Sequence, residues 1–382
     1  MSEVSYADRV QRTVRRVLVA ARGVEAAGIV ARLEAAGVEC VAVFDASDAE
    51  APHLDVASWA VPLPASLAGD AAAIDRAAAL CGLALDAGAD GVVPDADLAG
   101  EAGAARVVAN LGLAWVGCSP DSLEALADPA HLRGRLAALG VPLAQPGPRN
   151  DVEVVVFGDG TRARTCADAT VTGVQGAGPW APQRPGGSGD GAHRDASGIA
   201  VSPAVLSPAA RRAAWDLAAR VVVAENVIGP VVVHLVVVGD AVTVAGIRPG
   251  LPSWHALVAL GHDADVALVV AALRVAAGED LATPATSAGH GIEVRVRATT
   301  NGALDTLTLP DHSDTTVGHA EGEDVRAGTV LLALRAEGPT AGAACVRAHE
   351  ALRGVAIEGV ETDLATVCAA VLLPLAATTT RA

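Results

Sequence analysis

The strongest constraint on the fold is a repeated exchange of hydrophobic period along residues 15–118. Arg16–Ala21 (RVLVAA) is a short, continuous apolar run, the pattern of a strand buried on both faces. Glu25–Ala36 then carries apolar residues at helical spacing and stops at Gly37, a residue suited to the left-handed conformation that ends many helices. Val38–Phe44 (VECVAVF) returns to the strand pattern. Ala71–Ala87 reads as an alanine-rich helix, Gly91–Val93 as a strand, Leu98–Asn110 as a helix and Leu113–Gly117 as a last short strand. Short apolar strands alternating with helices predict an α/β domain built on a parallel sheet with both faces covered.

Beyond this point the punctuation changes. Pro120–Leu139 reads as one or two helices, with Pro129 as the break. Residues 140–150 (GVPLAQPGPRN) form a Pro- and Gly-rich linker. Asp151–Phe157 (DVEVVVF) begins a new strand region that turns at Gly158-Asp159-Gly160. Residues 176–203, rich in Gly and Pro and without period, are expected to be a flexible loop. A helix over Pro208–Glu225 precedes a β-hairpin: Val231–Val238, a turn at Gly239-Asp240, and Ala241–Ile247. Val266–Ala277 is helical, GIEVRVRA from Gly291 alternates strictly as a strand, and Val330–Arg335 is another strand. Helices are expected over 341–353 and 362–372. The length is enough for two or three domains and a large core.

Composition removes several chemistries. The 27 basic residues are all arginine. Lysine is a compact ammonium that reaches phosphates and shifts its pKa for proton work, whereas arginine stays charged and forked. The chain therefore has no P-loop lysine, no Schiff-base lysine and no biotinylation site. Compositional drift in an Ala-, Gly- and Val-rich chain would also produce this absence, with the same chemical consequence. A formal net charge of -17 argues against nucleic acid and anionic membrane as partners. With 52% hydrophobic but 2% aromatic residues, the core has to be built from Val, Leu and Ala.

The six cysteines, Cys40, Cys81, Cys118, Cys166, Cys345 and Cys368, show no C-x-x-C pair and read as small buried hydrophobes in a reducing compartment. Met1–Gln11 is polar and lacks the apolar stretch of a secretory signal. The apolar run Val231–Val238 is interrupted by His234 and is too short to span a bilayer. A soluble, cytoplasmic protein is expected. No G-x-S-x-G elbow, H-E-x-x-H pair, EF-hand loop or G-x-G-x-x-G after the first strand is present, and the histidines do not fall at metal-ligand spacings.

A collinear series of segments carries a resemblance. Arg16–Phe44 (RVLVAARGVEAAGIVARLEAAGVECVAVF) gives strand, Ala-Arg-Gly turn, helix and strand. His53 with Ala57, Gly88-Ala89-Asp90, Glu101 after Pro94, Val116–Pro120 (VGCSP) and Gly140-Val141-Pro142 follow in order. Then come Asp151–Asp159 (DVEVVVFGD), Ala276–Leu281 (AAGEDL), Gly289–Arg295 (GHGIEVR) and Ile357–Leu364 (IEGVETDL). Together they resemble the biotin carboxylases. That resemblance implies three parts: a Rossmann-like parallel-sheet domain over 1–118 with a helical linker over 119–150, a truncated ATP-grasp core over 151–282, and a C-terminal α+β domain over 283–382. It also implies ATP-dependent carboxylation of biotin in acyl-CoA and pyruvate carboxylases.

The departures fall on the chemistry. Where the family carries a Gly-Asp-Lys triplet, this chain has Ala127-Asp128-Pro129. The lid with its lysine and glycine run is missing, because Gln145–Arg149 joins almost directly to Asp151. The two metal-binding glutamates fall at His234 and Gly246. Magnesium, a hard cation, wants carboxylate oxygens that these cannot supply. The catalytic strand becomes Gly246–His255 (GIRPGLPSWH), so the Asn, reactive Arg and general-base Glu positions hold Arg248, Gly250 and Trp254. The Gln-x-x-His-x-Lys segment falls at Thr172–Ala177 and is not kept. Arg295 matches the arginine that in the family faces bicarbonate and biotin; it also fits an arginine paired with a carboxylate on an exposed strand face.

Two added carboxylates, Asp95 and Asp97, stand where the family has His-Pro-Gly-Tyr-Gly. They would repel a phosphate and suit a cation or amine. The plainer expectation is that Asp97 caps a helix starting at Leu98 while Asp95 is solvated. The functional expectation is a biotin-carboxylase-like pseudoenzyme without bound cofactor or metal. It would be structural or regulatory, in a homo-oligomer such as a dimer or beside an acyl-CoA carboxylase subunit. The alternative is a scaffold reused for a small metabolite, with Asp95, Asp97, His234, Arg248, Trp254, His255 and Arg295 lining the opened cleft. Residual ATP-dependent carboxylase activity ranks last.

Overall fold

The computed structural model describes residues 13–46, 48–64, 67, 72–145, 151–173, 197–259, 267–279, 289–311 and 314–372. The first part is a βαβ array: β1 (Arg16–Val19), α1 (Gly23–Ala35), β2 (Glu39–Phe44), α2 (His53–Val56), β3 (Trp59–Pro62), α3 (Ala73–Asp86), β4 (Gly91–Val93), α4 (Ala102–Asn110) and β5 (Ala114–Trp115). Its five strands are parallel in the order β3-β2-β1-β4-β5, as the alternating periods predict. Along β1 the side chains separate by face: Leu18 packs with the α3 and α4 core, and Val17 and Val19 with the α1 core. Strand β3 was not foreseen. It lies at a sheet edge with Trp59 about half exposed, so it lacks the apolar pattern of a buried strand.

Two helices follow, α5 (Pro120–Leu126) and α6 (Pro129–Ala138). The break is at Pro129 as expected: Asp128 caps α6 by accepting from the amides of Ala130 and His131, and Pro129 takes the first-turn position where no amide is needed.

Then come β6 (Asp151–Asp159), β7 (Ala163–Gly173), β8 (Ser197–Ser202), α7 (Pro208–Ala224), β9 (Ile228–Val238), β10 (Ala241–Pro249), a 3₁₀ segment (Ser253–Ala259) and α8 (Leu268–Ala276). The last part holds β11 (His290–Arg297), β12 (Gly302–Ala303), β13 (Thr306–Thr308), β14 (Asp314–Val317), β15 (Asp324–Val325), β16 (Val330–Gly338), α9 (Ala341–Leu352), β17 (Ala356–Glu358) and α10 (Leu364–Ala370). Eight strands form one antiparallel sheet in the order β10-β9-β6-β7-β8-β11-β16-β14. Because β8 pairs with β11, this sheet runs without interruption from the middle segment into the C-terminal one.

Strand β8 corrects the expectation of a loop over 176–203. Residues 197–202 hydrogen-bond to β7 on one side and β11 on the other; 176–196 lie outside the described residues. Its Ile199-Ala200-Val201 triplet is too short to stand out beside the Gly/Pro-rich stretch.

The large sheet also sorts its side chains. Val152, Val154 and Val156 of β6 join the α7 core, and Val155 and Phe157 face the cluster that includes α1, α8 and Trp254. On β11, Ile292, Val294 and Val296 pack with α9. The intervening Glu293 and Arg295 therefore point to the opposite face.

The segment that follows β5 meets the start of β9. The Ser119 amide donates to the Ile228 carbonyl at 2.8 Å, the Ile228 amide to Ser122 Oγ at 2.8 Å, and Cys118 Sγ to the Pro230 carbonyl at 2.8 Å. Gly229 makes this approach possible. Its φ is +111°, and a β-carbon there would stand 2.6 Å from the Gly117 carbonyl oxygen.

Candidate functional site

The cross-strand register decides which side chains meet. Gly246 on β10 lies opposite His234 on β9, and His234 lies opposite Glu153 on β6. Glu153 is nearly fully buried; its Oε2 accepts the indole N–H of Trp254 at 2.5 Å, and its Oε1 lies 3.5 Å from His234 Nδ1. Trp254 is completely enclosed. A carboxylate in the middle of a sheet is tolerable only when paired and hydrogen-bonded, and these two neighbours meet that requirement.

A second row lies on the same sheet toward the C-terminal segment. Glu293 on β11 is opposite Arg335 on β16, which is opposite Asp314 on β14. Arg335 donates from Nε to Glu293 Oε2 at 3.1 Å, from Nη1 to Asp314 Oδ1 at 3.0 Å and from Nη2 to Thr316 Oγ1 at 2.7 Å. Arg295 donates from Nε to Glu293 Oε1 at 2.9 Å and from Nη2 to the Ser253 carbonyl. Burial alone would raise the Glu293 carboxyl, but Arg295 and Arg335 outweigh it and hold it below the usual carboxylate range. Arg295 is thus paired with a carboxylate, but on a buried face: it is 9% exposed.

The Ser253 contact joins the two rows, because Ser253 precedes Trp254 in the chain. His255 follows, almost wholly enclosed, with its ring against α1, where a β-carbon added at Gly28 would stand 3.7 Å from Cε1. Its Nδ1 is buried and has no hydrogen-bond partner among the described residues. Its pKa falls to about 4, chiefly through burial; Glu25 and Glu293 oppose the fall, and the nearby Arg295 and Arg335 add to it. His255 is therefore neutral at physiological pH. From α1, Arg32 Nη2 donates to the Ala256 carbonyl at 3.1 Å.

Of the seven candidate side chains, His234, Trp254, His255 and Arg295 are drawn together through Glu153 and Glu293. Arg248 shares the hairpin, opposite Val232, and donates from Nη1 to the Leu251 carbonyl at 3.1 Å. Asp95 is elsewhere. It pairs with Arg76 of α3, and its Oδ1 accepts from the Leu98 amide at 2.8 Å. This corrects the expected roles: Asp95, not Asp97, closes the turn after β4, and α4 begins only at Ala102. Asp97 is exposed. Burial raises the Asp95 carboxyl against the pull of Arg76.

Glu153 and Glu293 were not singled out from the sequence. The signal was present: each is a lone carboxylate inside an apolar strand, in DVEVVVF and GIEVRV, where burial demands a partner.

The resemblance implies magnesium and a nucleotide on this face, and the donors do not fit them. The paired strand positions offer a glycine and an imidazole. The neighbouring carboxylate, Glu153, is enclosed and accepts the Trp254 indole. Magnesium requires several accessible oxygens in an octahedral shell. Among the described residues no group of three or more His, Cys, Asp or Glu side chains is placed to hold a metal ion. Among them, too, no helix is long and apolar enough to cross a membrane.

Comparison with known proteins follows this geometry. Residues 13–123 match the sequence model of the family described as biotin carboxylase, N-terminal domain. The biotin-dependent acyl-coenzyme A carboxylase alpha3 subunit of Mycobacterium leprae (strain TN) is 34% identical over 148 residues, 38% of this chain and 24% of that protein. The match thus spans about a quarter of that relative's length. Among solved structures, the biotin carboxylase domain of a single-chain bacterial carboxylase superposes with a TM-score of 0.75 at 25% identity, covering 93% of each chain. The urea carboxylase of Kluyveromyces lactis superposes with a TM-score of 0.77 at 21% identity, over 95% of this chain and 32% of that one. Residues 13–123 are thus similar in sequence to the N-terminal domain of biotin carboxylases, and the fold over 93% of the chain is similar to that of a biotin carboxylase domain.

Proposed function

We propose that this chain is a biotin-carboxylase-like pseudoenzyme that serves a carboxylase assembly as a structural or regulatory subunit. The observation that carries the reading is the state of Arg295. It is the one residue retained at a position the resemblance links to catalysis, and its guanidinium is bound to Glu293 and to the Ser253 carbonyl inside the fold. The absence of lysine supports the same reading, as does the Gly246–His234 pair on the strands where metal-binding carboxylates would be needed. The relatives are subunits or domains of larger carboxylases, which supports a carboxylase subunit as partner, with a homo-oligomer as the other form of association. The cytoplasm, where such a partner and reduced cysteines would be found, is the compartment proposed.

Reuse of the cleft for a small metabolite has the burial pattern against it. Trp254, His255 and Arg295 are buried, and Asp95 is tied to α3.

Calorimetry with ATP and magnesium tests the non-catalytic part: no heat of binding is expected up to millimolar nucleotide, and binding tighter than about millimolar overturns it. Affinity capture of the tagged chain from native lysate tests the assembly. Co-purification of a carboxylase subunit is expected, and its absence removes the hetero-complex form.

A further inference from the structure

Residues 318–323 join β14 to β15 and lie against the first turn of α1, so the C-terminal segment touches the parallel-sheet domain at this point. The approach is close. A β-carbon on Gly318 would stand 2.6 Å from the Val24 amide nitrogen, and one on Gly23 would stand 3.6 Å from His319 Nε2. His319 Nδ1 is 3.0 Å from Glu323 Oε2, and the Glu323 side chain is 8% exposed. Asp48, which follows β2, adds its charge to this carboxyl from the first domain. It accepts from Arg22 Nε at 2.5 Å and from the Asp45 amide at 2.7 Å, and Asp45 pairs with Arg22 Nη1 at 2.7 Å. His53, fully enclosed, lies near Asp48, Arg22 and His319, with its Nε2 3.4 Å from the Val43 carbonyl. Of the other acidic groups on these elements, Glu25 of α1 lies toward His255, Glu321 accepts from the Leu307 amide at 2.9 Å, and Asp324 is exposed.

We infer that this contact is a proton-controlled latch between the first domain and the C-terminal segment, closed while the His319–Glu323 pair carries a proton and released when the pair loses it. The charge arrangement sets the direction. With His319 protonated, Glu323 has a counter-charge inside the contact. Without that proton, the carboxylates of Asp45, Asp48 and Glu323 gather around the Arg22 guanidinium, in a setting where salt screens repulsion poorly. Burial raises the Glu323 carboxyl and Asp48 raises it further, while His319 and a backbone hydrogen bond from Ala320 oppose the rise. The docked loop therefore holds the pair's proton more tightly than a free loop, and docking weakens as pH rises. Histidine ordinarily titrates near 6.5, which places release between about pH 6 and 8. His53 bounds the window on the acid side. Burial lowers its pKa, Arg22 and His319 add to the fall, and the Val43 carbonyl and Asp48 oppose it, so protonation of His53 also disfavours the closed contact. The latch does not depend on the chain being non-catalytic.

Hydrogen–deuterium exchange of the full-length chain tests the latch. The amides of Gly318 and Gly322 are hydrogen-bonded in the docked loop, to the carbonyls of Leu331 and Leu304. After correction for the intrinsic pH dependence of exchange, peptides covering 318–323 are expected to exchange about tenfold faster at pH 8 than at pH 6, with peptides from β6 and β9 unchanged. Glu323→Gln, which removes the buried charge, is expected to exchange slowly at both pH values. His319→Gln, which removes the counter-charge, is expected to exchange fast at both. Equal exchange of the parent chain at pH 6 and 8 overturns the inference, and so does a pH dependence that survives in Glu323→Gln. An acceleration shared equally by β6 and β9 overturns it too, because it reports opening of the whole chain. If Glu323→Gln does not fold, His319→Gln decides: a tenfold change between pH 6 and 8 that persists there removes the latch.

Discussion

Glu153 Oε2 accepts the indole N–H of Trp254 at 2.5 Å across 101 residues of chain, and both side chains are buried. The bond joins the centre of the large sheet to the segment that follows the β-hairpin. Trp254→Phe keeps most of the apolar volume but leaves the carboxylate without its donor, at a cost on the order of 3 kcal/mol. Glu153→Gln keeps an acceptor for the indole and should cost less. Urea unfolding of both variants checks the order.

Glu293 stands between two arginines, Arg295 and Arg335. Removing its charge leaves two buried cations facing each other, so Glu293→Gln is expected to lose about 3–5 kcal/mol. The sign with pH follows from the direction of the shift. A carboxyl held below its usual range contributes stability that is fully present above its unfolded pKa and is lost as pH falls through its folded one. In Glu293→Gln this acid-dependent loss should be absent, as a stability profile below about pH 4.5 would record.

His255 gives a separate dependence. Its pKa falls from the ordinary 6.5 to about 4 on folding, so the unfolded chain binds the extra proton first. Stability is therefore lost as pH falls through that window, by roughly 3 kcal/mol in total. His255→Leu removes the titrating group and should flatten the profile between pH 6.5 and 4 while leaving the Glu293 limb in place.

Two glycines predict opposite outcomes. Gly229 has φ +111°, and a β-carbon there meets the Gly117 carbonyl at 2.6 Å and Cys118 Cα at 2.7 Å, all backbone. Gly229→Ala should open the seam between the two sheets at a cost above about 3 kcal/mol. Gly82, inside α3, has nothing among the described residues within 4 Å of a β-carbon, and Gly82→Ala should stabilise by up to about 1 kcal/mol. Thermal midpoints of the two variants separate the cases.

Much of the fold was legible because local periods report local structure. The parallel sheet follows from RVLVAA, VECVAVF and the helical runs between them, and the hairpin from apolar strands around Gly239-Asp240. Strands β3 and β8 were not legible. One is an exposed edge without an apolar signature, and the other is a short strand whose place is fixed by partners 24 or more residues away in sequence. The site was half legible. Resemblance singled out His234, Trp254, His255 and Arg295. Glu153 and Glu293, which tie them together, are single acidic residues whose importance depends on burial.

The sequence by itself determined the layered α/β organisation and the absence of lysine chemistry. Each of these is a property of residue type and spacing along the chain. Tertiary structure decided that one sheet continues from the middle segment into the C-terminal one, that Arg295 is bound to Glu293 and Ser253, and that the Trp254 indole donates to Glu153. Those outcomes depend on cross-strand register and on packing between segments about 40 to 100 residues apart, and a one-residue shift of β6 would turn Glu153 to the opposite face.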